Sequence, residues 1–148
     1  MSLIRNKKVT LKYEILEKYE AGIELLGHEV KTIKSGRGSL DGAYVIVRGG
    51  EAYLINVEIP PYQMANTPKS YDARQNRRLL LTKKEIAELA NYTDNRGLTL
   101  VPLSMYNKGK KIKVEIGVAR GLKKYDKREI LKKRETQRDI DRALKTGI

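Results

Sequence analysis

From Lys111 to Val118 the chain reads KIKVEIGV, with Ile112, Val114, Ile116 and Val118 at every second position and Lys111, Lys113 and Glu115 between them. Successive side chains of a strand point to opposite faces, so this spacing predicts a strand with one buried and one wetted face. A strand of that kind needs partners for its backbone and for its apolar face, and the rest of the chain offers them. In AYVIVRGGEAYLINVEI, residues 43–59, two β-rich runs flank Gly49-Gly50, and a two-residue turn with positive φ is easiest for glycine. Residues 11–33, LKYEILEKYEAGIELLGHEVKTI, read as two strands joined at Ala21-Gly22. Tyr13, Ile15 and Tyr19 share a face there, and the broken alternation at Leu16-Glu17 predicts a bulge. By the same parity Tyr13, Tyr19 and Tyr53 are expected in the core.

Thr82-Lys83-Lys84-Glu85 opens a helix, because Thr at the N-cap and Glu three residues on form a capping box. Ile86, Leu89 and Ala90 give that helix an apolar face, and Asn95-Arg96-Gly97 turns the chain into the strand LTLVPL. Residues 34–42, KSGRGSLDG, read as a loop with one helical turn, and 67–78, TPKSYDARQNRR, as an exposed loop. The expected fold is mainly β: an oligonucleotide-binding-like antiparallel barrel of about six strands with short helices, over residues 1–119. A sandwich of similar size is the structural alternative. Residues 120–148 form a basic tail with eleven Lys/Arg against five Asp/Glu. Its few apolar residues are scattered and cannot offset the entropy of ordering it alone. Tyr125 stands inside that charged run with no neighbouring core to enter.

A formal net charge of +13 points to a polyanionic partner, and nucleic acid is the commonest. No stretch has the apolar length of a transmembrane helix, so no membrane partner is expected. MSLIRNKK lacks the apolar core of a signal peptide, and the chain has no cysteine, so a cytoplasmic location is expected. His28 is the sole histidine and reads as structural; no histidine pair, G-x-S-x-G, Walker loop or G-x-G-x-x-G is present. No catalytic residue, metal or cofactor is expected, and the protein is read as no enzyme. Arg74, Arg77, Arg78, Lys83 and Lys84 gather around three leucines in RQNRRLLLTKKEI. They fit equally a phosphate-contacting patch and a strand entering a helix with its cations solvated.

YEAGIELLGHEVK at 19–31, RRLLLTKKEI at 77–86, GLTLVPLSMY at 97–106 and VARGLKKYDKRE at 118–129 occur in this order. Through these four blocks the chain, from Asn6 to Arg142, resembles the small protein B family, the SsrA-binding proteins of bacterial trans-translation. The resemblance implies an adaptor that binds the tRNA-like domain of transfer-messenger RNA. The aminoacylated complex, carried by elongation factor Tu with GTP, enters ribosomes stalled without a stop codon. It implies an RNA-binding surface with Glu20 and Leu80, and Lys31, Arg77, Arg78 and Thr82 are expected beside them. Thr82 departs from the family, which commonly has Asn or His there. The resemblance further implies a tail that is disordered when free and helical in the empty messenger channel at the small-subunit decoding region. Lys123, Lys124, Tyr125, Asp126, Lys127 and Arg128 would make the ribosome contacts, with Tyr125 stacked on a base. The second reading is a basic ribosomal or translation-associated protein that binds rRNA permanently.

Overall fold

The structure is a computed structural model and describes residues 2–63 and 68–122. Its elements in chain order are β1 (Ser2–Arg5), α1 (Val9–Lys12), β2 (Tyr13–Ile23), α2 (Gly27–Lys34), β3 (Tyr44–Arg48) and β4 (Glu51–Ile55). Then follow β5 (Arg77–Leu80), α3 (Lys83–Arg96), β6 (Thr99–Lys108) and β7 (Lys111–Gly121). All strand pairings are antiparallel, in the order β1-β6-β3-β4-β5-β2-β7, and β7 pairs back onto β6. Six strands, β2 to β7, thus form a ring closed by hydrogen bonds, and β1 lies beside β6 outside it. Closure reduces the unpaired edge that an open sheet would expose; β1 keeps one free side, and β2 meets β5 only at Gly22 and Ile23.

The inward faces fill the ring. Ile112, Val114, Ile116 and Val118 are all buried, as their alternation predicts, and meet Val45, Leu54, Leu79, Leu100 and Met105. The β3–β4 hairpin turns at Gly49 (φ 59°) and Gly50 (φ 76°), both left-handed, which is where glycine carries no steric cost. The predicted bulge in β2 is present: its register against β7 slips between Ile15 and Glu17.

Two expectations fail in the segment 11–33. The chain does not turn at Ala21-Gly22; β2 runs straight through as an eleven-residue strand. Gly22 is held on both sides, opposite Leu80 of β5 and Lys113 of β7. Its lack of a side chain answers a close approach, since a Cβ there would sit 3.1 Å from the Leu80 Cβ. The second expected strand is the helix α2. Glu29, Thr32 and Ile33 are its buried residues, at helical spacing, and the Glu29 Oε1 accepts the Leu26 N–H at 2.8 Å to start it. Tyr53 also departs from its expected place. Ala52 and Leu54 take the inward positions of β4, so Tyr53 stands half-buried on the outer side. Tyr19 does pack on the core, and its hydroxyl donates to Glu88 of α3 at 2.6 Å. Tyr13 packs in a smaller cluster with Val9, Val101 and Ala119.

α3 begins as the sequence predicts. Thr82 Oγ1 accepts the Glu85 N–H at 3.2 Å, and Glu85 Oε1 accepts the Thr82 N–H at 3.0 Å. Gly97 ends the helix in the left-handed region, at φ 62°. Thr82→Ala is expected to cost about 1 kcal/mol in chemical denaturation and Thr82→Asn nothing measurable, because Asn caps at least as well. Unchanged stability in both variants would remove the capping role.

Candidate nucleic-acid interface

The outer faces of β2, β5, β6 and β7 bring together residues far apart in sequence. Along β2, Glu20 and Gly22 have the outward parity, with Glu24 exposed just past the strand's end; along β5, Arg78 and Leu80 are outward. Leu80 is 47 % exposed and lies over Gly22. On the other side of Gly22 stands Lys113, whose Nζ would be 3.6 Å from a Cβ at that glycine. The row continues to Tyr106, which pairs with Lys113 across β6 and β7. An apolar side chain lying over a covered glycine, an ammonium and an aromatic ring thus follow one another across four strands.

Glu20 sits beside this row and is not free to repel an anion at full strength. The Tyr106 hydroxyl donates to its Oε2, and Lys108 Nζ lies 3.0 Å from its Oε1. The Tyr106 hydroxyl first and the Lys108 ammonium second hold the Glu20 carboxyl below the ordinary carboxylate range. Burial and then the bond to Glu20 push the Tyr106 phenol up, so it stays a donor at neutral pH. Glu20 is therefore an oriented acceptor, suited to base amino groups and ribose 2′-hydroxyls.

The basic run divides. Arg77 is 2 % exposed and faces inward. Its Nε and Nη2 donate to Glu29 Oε2 at 2.9 and 2.6 Å, and Nη1 donates to the Val57 carbonyl at 2.8 Å. A guanidinium so enclosed has no donor left for phosphate, so the expected role of Arg77 at the RNA surface gives way to a structural one. Arg74 pairs with Glu58 at 2.9 Å, and Arg78 with Glu24 and Glu51 at 3.1 and 3.0 Å. Lys83 and Lys84 are exposed and have no carboxylate partner among the described residues. Of the three leucines, Leu79 is core, Leu80 surface and Leu81 between them.

Among the expected site residues, Glu20, Arg78 and Leu80 share the outer face. Lys31 is exposed on α2, with its Nζ 6.0 Å from the centre of the Tyr62 ring, and Thr82 caps α3 two residues beyond Leu80. Lys123, Lys124, Tyr125, Asp126, Lys127 and Arg128 lie outside the described residues. Sequence reasoning missed Gly22, Tyr106, Lys108 and Lys113. The shared parity of Tyr106 and Lys108 was available as a signal, but only the pairing of β2 and β6 on either side of β7 brings Glu20 within their reach. His28 is half-buried with its ring edge-on to Tyr71, centroids 4.6 Å apart, in keeping with a structural role. Among the described residues no cluster of three or more His, Cys, Asp or Glu side chains can hold a metal, and no helix is long and apolar enough to cross a membrane.

Comparison with known proteins places this geometry in a family. Residues 3–146 match the family described as SmpB protein. An SsrA-binding protein of Microcystis aeruginosa is 51 % identical over 140 residues, covering 95 % of this chain and 91 % of the relative. One of Gloeobacter violaceus is 47 % identical over 143 residues, covering 97 % and 93 %. A solved chain from the work described as "tmRNA-SmpB: a journey to the center of the bacterial ribosome" is 40 % identical, with a TM-score of 0.68. That match covers 86 % of this chain and 92 % of the solved one.

Proposed function

The chain belongs to the SmpB protein family, and from that premise we propose that it is a tmRNA-binding adaptor of trans-translation. It binds the tRNA-like domain of transfer-messenger RNA and helps bring it to stalled ribosomes in the cytoplasm. Elongation factor Tu accompanies the complex, and the segment from Lys123 to Arg128 with the residues after it occupies the empty messenger channel. The protein works by binding and performs no catalysis.

One observation carries the RNA-binding reading. The Y-E-A-G and L-L-L blocks, nearly sixty residues apart, meet at the Gly22–Leu80 pair, beside the oriented carboxylate of Glu20. Glycine lets the leucine lie flat, and the flat leucine gives a base or ribose an apolar seat next to an acceptor and the Lys113 ammonium. Phosphate contacts from the surrounding lysines supply affinity without sequence information, whereas the acceptor and the apolar seat discriminate.

The test compares binding of the transcribed tRNA-like domain with that of an unrelated RNA of equal length. Glu20→Gln keeps shape but turns one carboxylate oxygen into a donor, and it is expected to weaken the specific complex several-fold while leaving the unrelated one unchanged. Equal loss on both RNAs, or tighter specific binding, would count against this face as the recognition surface.

A further inference from the structure

Next to the Leu80 face lies a cleft of about 780 Å³ that the reading above leaves unused. It exceeds the hollow of about 400 Å³ beside Tyr13 and Tyr44 and that of about 470 Å³ at the Gly49-Gly50 turn. Its volume is in the range of small-ligand sites. Ile46, Tyr53 and the exposed Leu26 give it an apolar lining. Tyr53 pairs with Arg78 across β4 and β5, and Ala52 with Leu79, so the cleft is continuous with the strand that carries Leu80.

Three of its polar groups are uncommitted. The Tyr53 hydroxyl, the Arg48 guanidinium and the Asn76 amide have no hydrogen-bonded or ionic partner among the described residues. The other arginines of the cleft are engaged, Arg77 with Glu29 and Arg78 with Glu24 and Glu51. Arg48 is thus the cleft cation left to meet an anion from outside. An aromatic ring, an amide that both donates and accepts, and an unpaired guanidinium answer the three parts of a nucleotide. Unstacked bases are held on aromatic rings and hydrogen-bonded along their edges, while guanidinium groups take phosphate.

We propose that this cleft receives one unstacked nucleotide of the RNA that binds the Leu80 face, with Tyr53 beneath the base, Asn76 at its edge and Arg48 on its phosphate. The inference rests on the tmRNA-binding reading. It adds a second contact to that surface, on the far side of β5 from Glu20. It also gives a reason for Tyr53 to face outward, against the expectation that it fills the core.

The test titrates the transcribed tRNA-like domain of transfer-messenger RNA into the full-length protein and its Tyr53→Phe, Tyr53→Leu, Arg48→Gln and Leu80→Ala variants. Tyr53→Phe keeps the platform and is expected to bind as the unaltered protein does. Tyr53→Leu keeps apolar cover but loses the ring, and is expected to bind roughly tenfold to a hundredfold more weakly. Arg48→Gln is expected to weaken binding and to lower the slope of log affinity against log salt by about one. Thermal melting confirms that each variant is folded. If the unaltered protein binds, Leu80→Ala weakens it and Tyr53→Leu does not, the cleft inference falls and the Leu80 reading stands. If Tyr53→Leu binds RNA normally yet fails in ribosome rescue, the cleft serves a protein partner and the inference falls likewise. If the unaltered protein does not bind this domain at all, the reading falls and takes the inference with it.

Discussion

Truncation after Leu122 is expected to abolish rescue of stalled ribosomes while leaving a folded protein that still binds transfer-messenger RNA. Every strand pairing of the ring is complete by Gly121, and the Leu122 N–H closes the end of β7 on the Lys12 carbonyl at 2.9 Å. The removed residues include ten of the Lys/Arg side chains, so some RNA affinity is lost with them, more at low salt than at high. The proposed work of that segment is in the messenger channel. Within it, Tyr125→Ala removes a stacking platform worth roughly 1 to 3 kcal/mol in single-stranded RNA complexes. Tyr125→His should be milder, since imidazole also stacks. Peptide tagging on messages without a stop codon, scored beside binding of purified transfer-messenger RNA, separates the two losses. Normal tagging by the truncated protein would return Tyr125 to solvated surface.

Breaking the Glu29–Arg77 pair is expected to be strongly destabilising. Both side chains are 1 % exposed. Glu29 accepts from Leu26, Arg77 and Tyr71; Arg77 also donates to the carbonyls of Val57, Ala73 and Gln75. The pair therefore ties α2, β5 and residues 71–77 into one unit. Removing one partner leaves the other charge buried and uncompensated, at a cost of about 3 to 5 kcal/mol. That is a large share of the stability of a typical domain. Glu29→Leu and Arg77→Met together should cost less than the sum of the two, because no lone charge remains. Denaturant midpoints at constant slope measure both.

The same pair sets a pH dependence. Burial alone would raise the Glu29 carboxyl, but the Leu26 N–H, the Arg77 guanidinium and the Tyr71 hydroxyl outweigh it, and the folded value lies below the ordinary 4.5. Burial first, then the bond to Glu29, pushes the Tyr71 phenol up to about 12, so it remains a donor across neutral pH. A carboxyl depressed on folding stabilises fully above its unfolded value and loses that contribution as pH falls through the folded one. Stability should thus drop below about pH 4.5, and the Glu29→Leu/Arg77→Met protein should show a shallower drop. Parallel acid titrations of the two would contradict the assignment.

Several features were legible in the sequence because their causes are local. The alternation of 111–118 required a strand whatever it packed on. Glycine at 49 and 50 and the box from Thr82 to Glu85 act through their own backbone, and the bulge at Leu16-Glu17 is a break in parity. The charge of +13 and the four ordered blocks pointed to RNA and to the family before any contact was known.

Tertiary structure decided the rest, and at Gly22, Arg77 and Arg78 the deciding partner is distant in sequence. Gly22 reads as a turn and serves as the seat of Leu80, fifty-eight residues away. Arg77 and Arg78 are neighbours with the same charge, yet strand parity sends one to Glu29 in the interior and the other to Glu24 and Glu51 at the surface. Glu29 itself lies in a stretch that alternates plausibly as a strand; its Oε1 caps α2 at the Leu26 N–H, while the distant Arg77 guanidinium holds its Oε2 in the interior. Tyr53 was given the wrong face because Ala52 and Leu54 took the inward positions. Alternation placed Lys111, Lys113 and Glu115 on the outer face, but which of the other charges meet solvent, and so can meet RNA, followed from how the ring closed.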